Sequence, residues 1–287
     1  MCRLEIRKVL RAKRMKLSLN GATTMKADLA TDIRAASAAG FDCLEIWSAK
    51  LETFLQMSSI DDLKDLFAAA GIEPYSINSI EHVTFRDDEG RERLHSEAKE
   101  ICRLASELAC PYVVVVPGPL PDGASETRVI DESVRTLTNL SSIAEGLGVS
   151  LAFEFLGQSD CSVQTLALAD QIVRETAREN VGLVIDSFHF YAGGSTIESI
   201  GALDPAKLFI FHINDAEDLP REQLEDRHRL LPGLGILPLK EIISALRRIG
   251  YDRVASVEIF RPEYWERDPF ELARDARTMV VQLLASA

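Results

Sequence analysis

The stretch Ser150-Leu-Ala-Phe-Glu154 is a short apolar run that ends in a carboxylate, and this pattern returns on the next three strand-like segments. Those segments read Gly182-Leu-Val-Ile-Asp186, Phe209-Ile-Phe-His212 and Val254-Ala-Ser-Val-Glu258. Short apolar runs bounded by polar residues are typical of parallel strands that are buried on both faces. We therefore predict four consecutive parallel strands, each ending in a polar side chain.

Short β-rich runs alternate with helical patterns along the rest of the chain. In the stretch Arg91–Leu108, apolar residues recur mostly at intervals of three and four, which predicts one face of a helix. Ser59-x-x-Asp62 resembles a capping box that opens another helix. The eight predicted strands are Lys16–Asn20, Asp42–Trp47, Glu73–Asn78, Tyr112–Val116, Val149–Phe155, Val181–Asp186, Leu208–Ile213 and Arg253–Ile259.

Eight strand–helix units in a chain of 287 residues predict an α/β fold, the (β/α)₈ TIM barrel, which typically takes ~250 residues. A doubly wound open sheet is the alternative, but no Gly-x-Gly-x-x-Gly sequence follows the first predicted strand. We expect residues 16–287 to form one domain, since no linker divides them. Residues 1–15 form a basic N-terminal extension, which we expect to be disordered.

The charge and composition of the chain exclude several classes of function. The formal net charge is −13, although the first sixteen residues carry seven basic side chains against Glu5 alone. An acidic body repels phosphate backbones, so we expect no nucleic-acid partner. No apolar run approaches the ~18 residues that a membrane span needs, so we expect no membrane partner. Five cysteines without a Cys-x-x-Cys pair argue against disulfides and favour a cytoplasmic location.

The polar residues that end the last four strands are candidate metal ligands. The active site of a TIM barrel lies at the carboxyl ends of its strands. Side chains two apart on a strand share a face, so each terminal polar residue points the same way as an inward-facing residue before it. Glu154, Asp186, His212 and Glu258 would then converge, and three buried carboxylates require a neutralising cation. Oxygen-rich ligands with one imidazole suit one divalent ion, Mn²⁺, Mg²⁺, Co²⁺ or Zn²⁺.

Five local motifs extend this pattern, and with them the sequence resembles the xylose isomerase-like TIM barrel family of sugar isomerases and epimerases. The resemblance runs from about Met15 to the end of the chain. The motifs are Asn20-Gly-Ala-Thr-Thr24, Asp186-Ser-Phe-His-Phe190, His212-Ile-Asn-Asp-Ala-Glu-Asp218, Asp226-Arg227 followed by Pro232-Gly-Leu-Gly235, and Val257-Glu-Ile-Phe-Arg-Pro-Glu-Tyr264.

The resemblance also implies roles for individual residues. The metal ligands of the family fall on Glu154, Asp186, His212 and Glu258. The two glutamates are in addition the implied catalytic acid and base, with a role as ligands alone as the alternative. His189 is implied to bind a substrate oxygen, and a packed structural histidine is its alternative.

Three further residues are candidates for substrate binding. By the resemblance, Arg227 would orient substrate oxygens, although a surface salt bridge explains it nearly as well because Glu225 and Asp226 precede it. Trp47 and Asn78 end the second and third predicted strands, as Glu45 nearly does, and could line the pocket. A packing residue at the barrel mouth would look the same as Trp47 in the sequence.

The implied reaction is the metal-dependent isomerisation of an α-hydroxy ketone sugar or cyclitol through an enediolate. Within the family, the motifs most resemble the branch that isomerises inosose, which is 2-keto-myo-inositol. A ketose 3-epimerase and a 3-dehydroshikimate dehydratase-type lyase are alternatives on the same site, and a DNA-repair endonuclease of this fold is a remote one. A non-catalytic binding protein is disfavoured because all four ligands are present. The expected partner is a small polyol or keto-sugar, and a homo-oligomer is left open.

Overall fold

Eight parallel strands close into a barrel in the computed structural model, which describes residues 15–287. Each strand pairs with its neighbours in sequence, and the first pairs with the last through Lys16 opposite Val254. The prediction of a (β/α)₈ barrel is confirmed, and the closed sheet excludes the open, doubly wound alternative. The strands are β1 Lys16–Asn20, β2 Cys43–Trp47, β3 Glu73–Ile80, β4 Tyr112–Val115, β5 Ser150–Glu154, β6 Val181–Asp186, β7 Leu208–Ile213 and β8 Val254–Val257.

Helices surround the barrel and bury their apolar faces against the outside of the sheet. The predicted capping box opens one of them: the Ser59 backbone N–H donates to Asp62, and the Asp62 N–H donates to the Ser59 hydroxyl. The helices are α1 Leu29–Ala39, α2 Ser48–Leu55, α3 Ile60–Ala70, α4 Asp88–Glu107, α5 Glu126–Glu145, α6 Leu166–Glu175, α7 Ser187–Ala192, α8 Ile197–Gly201, α9 Leu239–Arg248, α10 Pro262–Trp265 and α11 Pro269–Ser286. Within the described residues, none of these helices is long and apolar enough to span a membrane.

The interior of the barrel is a separate apolar cluster that includes Val114, Ala152, Val184 and Ile210. Ala152, Val184 and Ile210 each lie two residues before a predicted metal ligand. Because side chains two apart on a strand share a face, the ligands point into the barrel above this cluster. The packed interior therefore forms the floor of the site.

A two-stranded hairpin lies beyond the end of β7. It pairs Asp215–Ala216 antiparallel with Arg229–Leu230. Asp215 holds the segment that follows, because its carboxylate accepts hydrogen bonds from the backbone N–H groups of Gly233 and Leu237. The hairpin brings Arg229 over the barrel mouth. Of the predicted N-terminal extension, residues 1–14 lie outside the described residues.

Candidate metal centre

Four side chains from four consecutive strands meet at the carboxyl end of the barrel. Glu154, Asp186, His212 and Glu258 each offer one ligand atom, and these atoms all lie within 4.8 Å of one another. All four residues are buried. Two ligands on opposite sides of one ion, each ~2.0–2.2 Å from it, are separated by about 4.2 Å. The cluster therefore has the size and the donor set of a single divalent-metal site.

His212 is held between carboxylates on both sides of its ring. Its Nδ1 lies 2.9 Å from Glu154 Oε1 and 3.3 Å from Glu258 Oε2. Its Nε2 lies 2.9 Å from Glu45 Oε1, on the side away from the cluster. A ligating histidine commonly gives its other ring nitrogen to a carboxylate, which fixes the tautomer and the ring orientation. Glu45 thus orients His212 and leaves Nδ1 to face the ligand cluster.

Glu258 is fixed by neutral and charged donors. Its Oε1 accepts hydrogen bonds from Asn78 Nδ2 at 2.8 Å and from Asn20 Nδ2 at 3.0 Å. Its Oε2 accepts from Arg229 at 3.1 Å. The amides turn Oε1 away from the cluster, so Oε2 is the oxygen that faces His212.

Asp186 is also tied to its surroundings on both oxygens. One oxygen accepts from the His189 backbone N–H at 2.9 Å, because Asp186 caps the N-terminus of α7. The other accepts from Asn214 Nδ2 at 2.7 Å and from Arg229 at 2.8 Å. The same short helix therefore places His189 beside the ligand that precedes it.

The electrostatics of the cluster show an excess of negative charge. Burial, together with the neighbouring Glu258, raises the pKa of Glu154 to about 8 even though His212 opposes the shift. Burial also opposes ionisation of Glu258, but His212 and Arg229 outweigh it and hold the pKa of Glu258 below its usual range. Burial lowers the pKa of His212, and the surrounding glutamates reverse this and raise it well above the ordinary value. A divalent cation at this point would neutralise the carboxylates.

A cavity of about 210 Å³ opens above the cluster. Glu154 and Glu258 line it, and so do three of the four predicted substrate-binding residues, Trp47, Asn78 and His189. The Trp47 ring packs edge-on against Phe260, with the ring centroids 5.5 Å apart. The cavity therefore combines one aromatic wall with a floor of carboxylates.

Arg227, the fourth predicted substrate-binding residue, does not line the cavity. Its side chain is 63% exposed, and its Nε pairs with Glu225 at 3.0 Å. Arg229, whose side chain is 1% exposed, lines the cavity instead. The reason is local: Arg227 lies in a 3₁₀ turn on the surface, whereas Arg229 begins the hairpin strand that turns inward. The sequence carried one sign of this, since Arg229 directly precedes the apolar Leu230-Leu231.

Comparisons with known proteins agree with this geometry. The family model described as the xylose isomerase-like TIM barrel matches residues 33–281. The chain belongs to this family. An inosose isomerase of Bacillus velezensis is 40% identical to the chain over 265 residues, which cover 92% of this chain and 95% of that one. An inosose isomerase of Bacillus subtilis is 39% identical to the chain over 273 residues, which cover 94% of this chain and 98% of that one.

A solved structure supports the same fold, and the protein in that structure binds a metal. The crystal structure of the IolI protein with a bound zinc atom superposes on this chain with a TM-score of 0.92 and 39% sequence identity. The match covers 95% of this chain and 99% of IolI. The sequence comparison and the structural comparison thus each cover nearly the whole of this member of the xylose isomerase-like family.

Proposed function

We propose that this chain is a divalent-metal-dependent isomerase that acts on an inosose, a ketone of inositol, or on a closely related α-hydroxy ketone. The observation that carries the proposal is the buried cluster of Glu154, Asp186, His212 and Glu258 beneath a cavity that both glutamates line. Relatives that cover nearly the whole chain are inosose isomerases, which supports this substrate over other ketones.

The four clustered side chains would hold the ion. Zinc is supported by the zinc bound to the related IolI protein, and Mn²⁺, Co²⁺ and Mg²⁺ suit the same donors. When bound, the ion would act as a Lewis acid that makes the C–H bond beside a carbonyl more acidic.

Proton transfer would fall to Glu154 and Glu258, because both are ligand candidates that also line the cavity. One carboxylate removes the proton from the hydroxyl-bearing carbon beside the carbonyl, and the other returns a proton to the former carbonyl carbon, while the hydroxyl proton passes to the former carbonyl oxygen. This moves the ketone by one position. Amide donors from Asn20 and Asn78 hold Glu258 in one orientation while it does so.

His189 would bind a substrate oxygen from the opposite side, and Arg229, whose donors are already engaged, would hold its ring in place. Their side chains meet with His189 Nε2 2.9 Å from a guanidinium nitrogen. Arginine can only donate, so Nε2 must accept and the ring proton sits on Nδ1. Burial and the neighbouring Arg229 lower the pKa of His189, which keeps the ring neutral. Its Nδ1 has no hydrogen-bond partner among the described residues, and it can donate to a hydroxyl or carbonyl of the substrate.

The charges around the cavity favour an uncharged substrate. Arg229 is the one cationic side chain among the described residues that line it, and it already binds Asp186, Asp226 and Glu258. Glu81 and Asp226 add negative charge to the lining. A carboxylate substrate such as 3-dehydroshikimate would find no unengaged cationic side chain in the described lining, which disfavours the dehydratase alternative. A neutral polyol or keto-sugar suits this lining. Because a ketose 3-epimerase would also act on a neutral substrate, only the identity of the product distinguishes that alternative from an inosose isomerase.

The free thiols and the net charge of the chain bear on its location and its partners. We propose a cytoplasmic location, which is supported by four buried cysteines, all free thiols: Cys43, Cys102, Cys110 and Cys161. We also propose that a small molecule is the substrate, with neither nucleic acid nor a membrane as a partner. The acidic net charge of −13 supports the exclusion of nucleic acid.

The experiment is to strip the protein of metal, restore one equivalent of Zn²⁺, Mn²⁺, Co²⁺ or Mg²⁺, and follow inososes by NMR in D₂O. We expect no reaction in the stripped protein. With metal restored, we expect conversion of one inosose into another, with deuterium entering at the carbon that receives the proton. Loss of water from the substrate, or inversion of a ketose at C3 with inososes untouched, would overturn the assignment.

A further inference from the structure

The segment Asn20-Gly-Ala-Thr-Thr24 joins the end of β1 to the loop before α1, and beyond the amide of Asn20 it has no part in the mechanism so far, yet it is fixed in the protein at several points. We propose that this loop, fastened by the buried Lys50–Asp32 ion pair, makes Asn20 a positioning residue that holds Glu258 for proton transfer. The proposal rests on the proposed function for its kinetic part. Its structural part concerns the placement of Glu258 whatever the substrate is.

Lys50 fastens the loop from the side of α2. Its Nζ donates to Gly21 O at 2.8 Å, to Thr24 O at 2.9 Å and to Asp32 Oδ2 at 2.7 Å, so all three N–H donors are used. The Lys50 side chain is 8% exposed, and that of Asp32 is fully buried. A buried ion pair is a poor source of net stability, because desolvation offsets the attraction. The arrangement is therefore better explained by the geometry that it imposes on the loop.

Threonine side chains fasten the same loop at two further points. Thr24 donates from Oγ1 to Asp32 Oδ1 at 2.7 Å, which joins the loop to the ion pair. Thr23 donates from Oγ1 to Val257 O at 2.9 Å and accepts from the Ile259 N–H at 3.1 Å. Val257 and Ile259 are the two neighbours of Glu258 in the chain. One hydroxyl thus fixes the backbone on both sides of Glu258.

Asn20 then connects the loop to the side chain of Glu258. Its Oδ1 accepts from the Ala22 N–H at 2.8 Å, which identifies the other amide atom as the donor. That Nδ2 donates to Glu258 Oε1 at 3.0 Å and to Glu45 Oε1 at 3.1 Å. One amide group thus holds two carboxylates. One is Glu258, which is proposed to transfer the proton, and the other is Glu45, which lies behind the candidate ligand His212.

There is little room for the loop to move. A Cβ at Gly21 would lie 3.1 Å from Asp32 Oδ2 and 3.1 Å from Trp47 Cβ, which is tighter than most such contacts. The Trp265 indole N–H also donates to Ala22 O at 3.0 Å. The loop is therefore packed against the cavity-lining residue Trp47 as well as bound to the ion pair, which restricts the movement of the adjoining Asn20.

The first test compares Asn20→Ala with wild type. Loss of hydrogen bonds to a charged group should lower kcat by about 10-fold to 100-fold. KM should stay within about twofold and the protein should still bind one equivalent of Co²⁺, since Glu154, Asp186 and His212 remain. Unchanged kcat, or loss of metal as complete as in His212→Ala, would overturn the proposal.

The second test asks whether Lys50 acts through Asn20. We expect Lys50→Met to lower kcat in the same way and the double variant to be no slower than the slower single variant. Lys64→Met, on the exposed ion pair with Asp61, is the matched control and should leave kcat unchanged. If the two losses multiply, Lys50 acts independently of Asn20 and the proposal is wrong.

Two further measurements keep the outcome clear. Should Lys50→Met fail to fold, Thr23→Val removes a different attachment of the same loop, the one to the backbone beside Glu258, and should lower kcat, whereas Thr23→Ser keeps the hydroxyl and should keep wild-type turnover. The visible spectrum of the Co²⁺-loaded protein reports on Glu258 without any substrate, and it should shift in Asn20→Ala and not in Lys64→Met. If the wild-type protein does not turn over inososes, the proposed function is wrong. If the Co²⁺ spectrum of Asn20→Ala is the same as that of wild type, the positioning role of Asn20 is wrong.

Discussion

The two halves of the barrel contribute to the metal centre in different ways. Strands β5 to β8 end in three carboxylates and an imidazole, which are all of the candidate ligands. Strands β1 to β3 contribute Asn20, Glu45 and Asn78, which contact those ligands from behind. One half thus supplies the charge that an ion would neutralise, and the other supplies the contacts that orient it. Substitutions in the first half should affect metal binding or chemistry directly, and those in the second should act through geometry.

The largest expected effect is that of His212→Ala in the ligand half. The imidazole lies against two other candidate ligands, so its removal should abolish metal binding and reduce turnover to background. The barrel should stay folded by circular dichroism, because the apolar interior lies below the site. His95→Ala on the surface of α4 is the control and should behave as wild type. Full metal content with normal turnover in His212→Ala would show that this half does not hold the ion.

The ligand half could be predicted from the sequence because its signal is local. A carboxylate or imidazole at the end of an apolar strand is visible in five consecutive residues, and the strand period fixes its direction. The bounds of all eight strands were predicted to within two residues. The (β/α)₈ order then placed the four side chains at one end of the barrel.

The contacts made by β1 to β3, the supporting half, could not be predicted from the sequence in the same way. Glu45 ends up behind His212 only because the barrel closes through β1 and β8, which brings β2 near β7, and nothing near Glu45 in the sequence indicates that partner. The buried Lys50–Asp32 pair likewise joins residues from two helices. The inward turn that brings Arg229 into the cavity lining depends on pairing with Asp215–Ala216, so the motif around Arg227 could not indicate it.

Glu258→Gln should give the next largest effect and separates chemistry from binding. The amide is a far poorer proton acceptor, so turnover should fall by ~10²-fold or more, the usual scale for a general base. Because Asn20 and Asn78 donate to Oε1, the new carbonyl oxygen should face them and the new NH₂ should face Arg229. We therefore expect weaker metal binding as well, though with one equivalent still bound at saturation.

The measurement for Glu258→Gln is deuterium exchange at both substrate carbons, followed by NMR at saturating metal. Glu263→Gln, whose side chain is 70% exposed and does not line the cavity, is the control. If exchange stays at the wild-type rate, Glu258 is a ligand only, and the transfer passes to Glu154 or His189.

Glu45→Gln tests the supporting half and should have a moderate effect. Residues that orient a metal ligand typically contribute about 10-fold to 100-fold in metal affinity when they are replaced. We expect zinc affinity, measured by competition with a chelating dye, to fall within that range, with kcat close to wild type once metal is saturating. The kcat value is the discriminating result: a large loss at full occupancy would mean that Glu45 takes part in the chemistry and that the division between the halves is wrong.

The smallest expected effect is that of Arg227→Ala, which sets a lower limit for the comparison. Arg227 is 63% exposed and pairs with Glu225, and an exposed ion pair contributes only about 0–1 kcal/mol. We expect kcat/KM within about twofold of wild type.

Arg229→Lys is the contrasting variant, because a lysine cannot reproduce the paired N–H donors with which the guanidinium joins Asp186, Glu258 and His189. It should lower kcat/KM by about tenfold or more, since the hydrogen bonds it loses involve charged groups. If instead Arg227→Ala is the damaging change and Arg229→Lys is tolerated, the turn 226–228 must fold over the cavity during turnover. Arg227 would then bind the substrate, as the family resemblance implied.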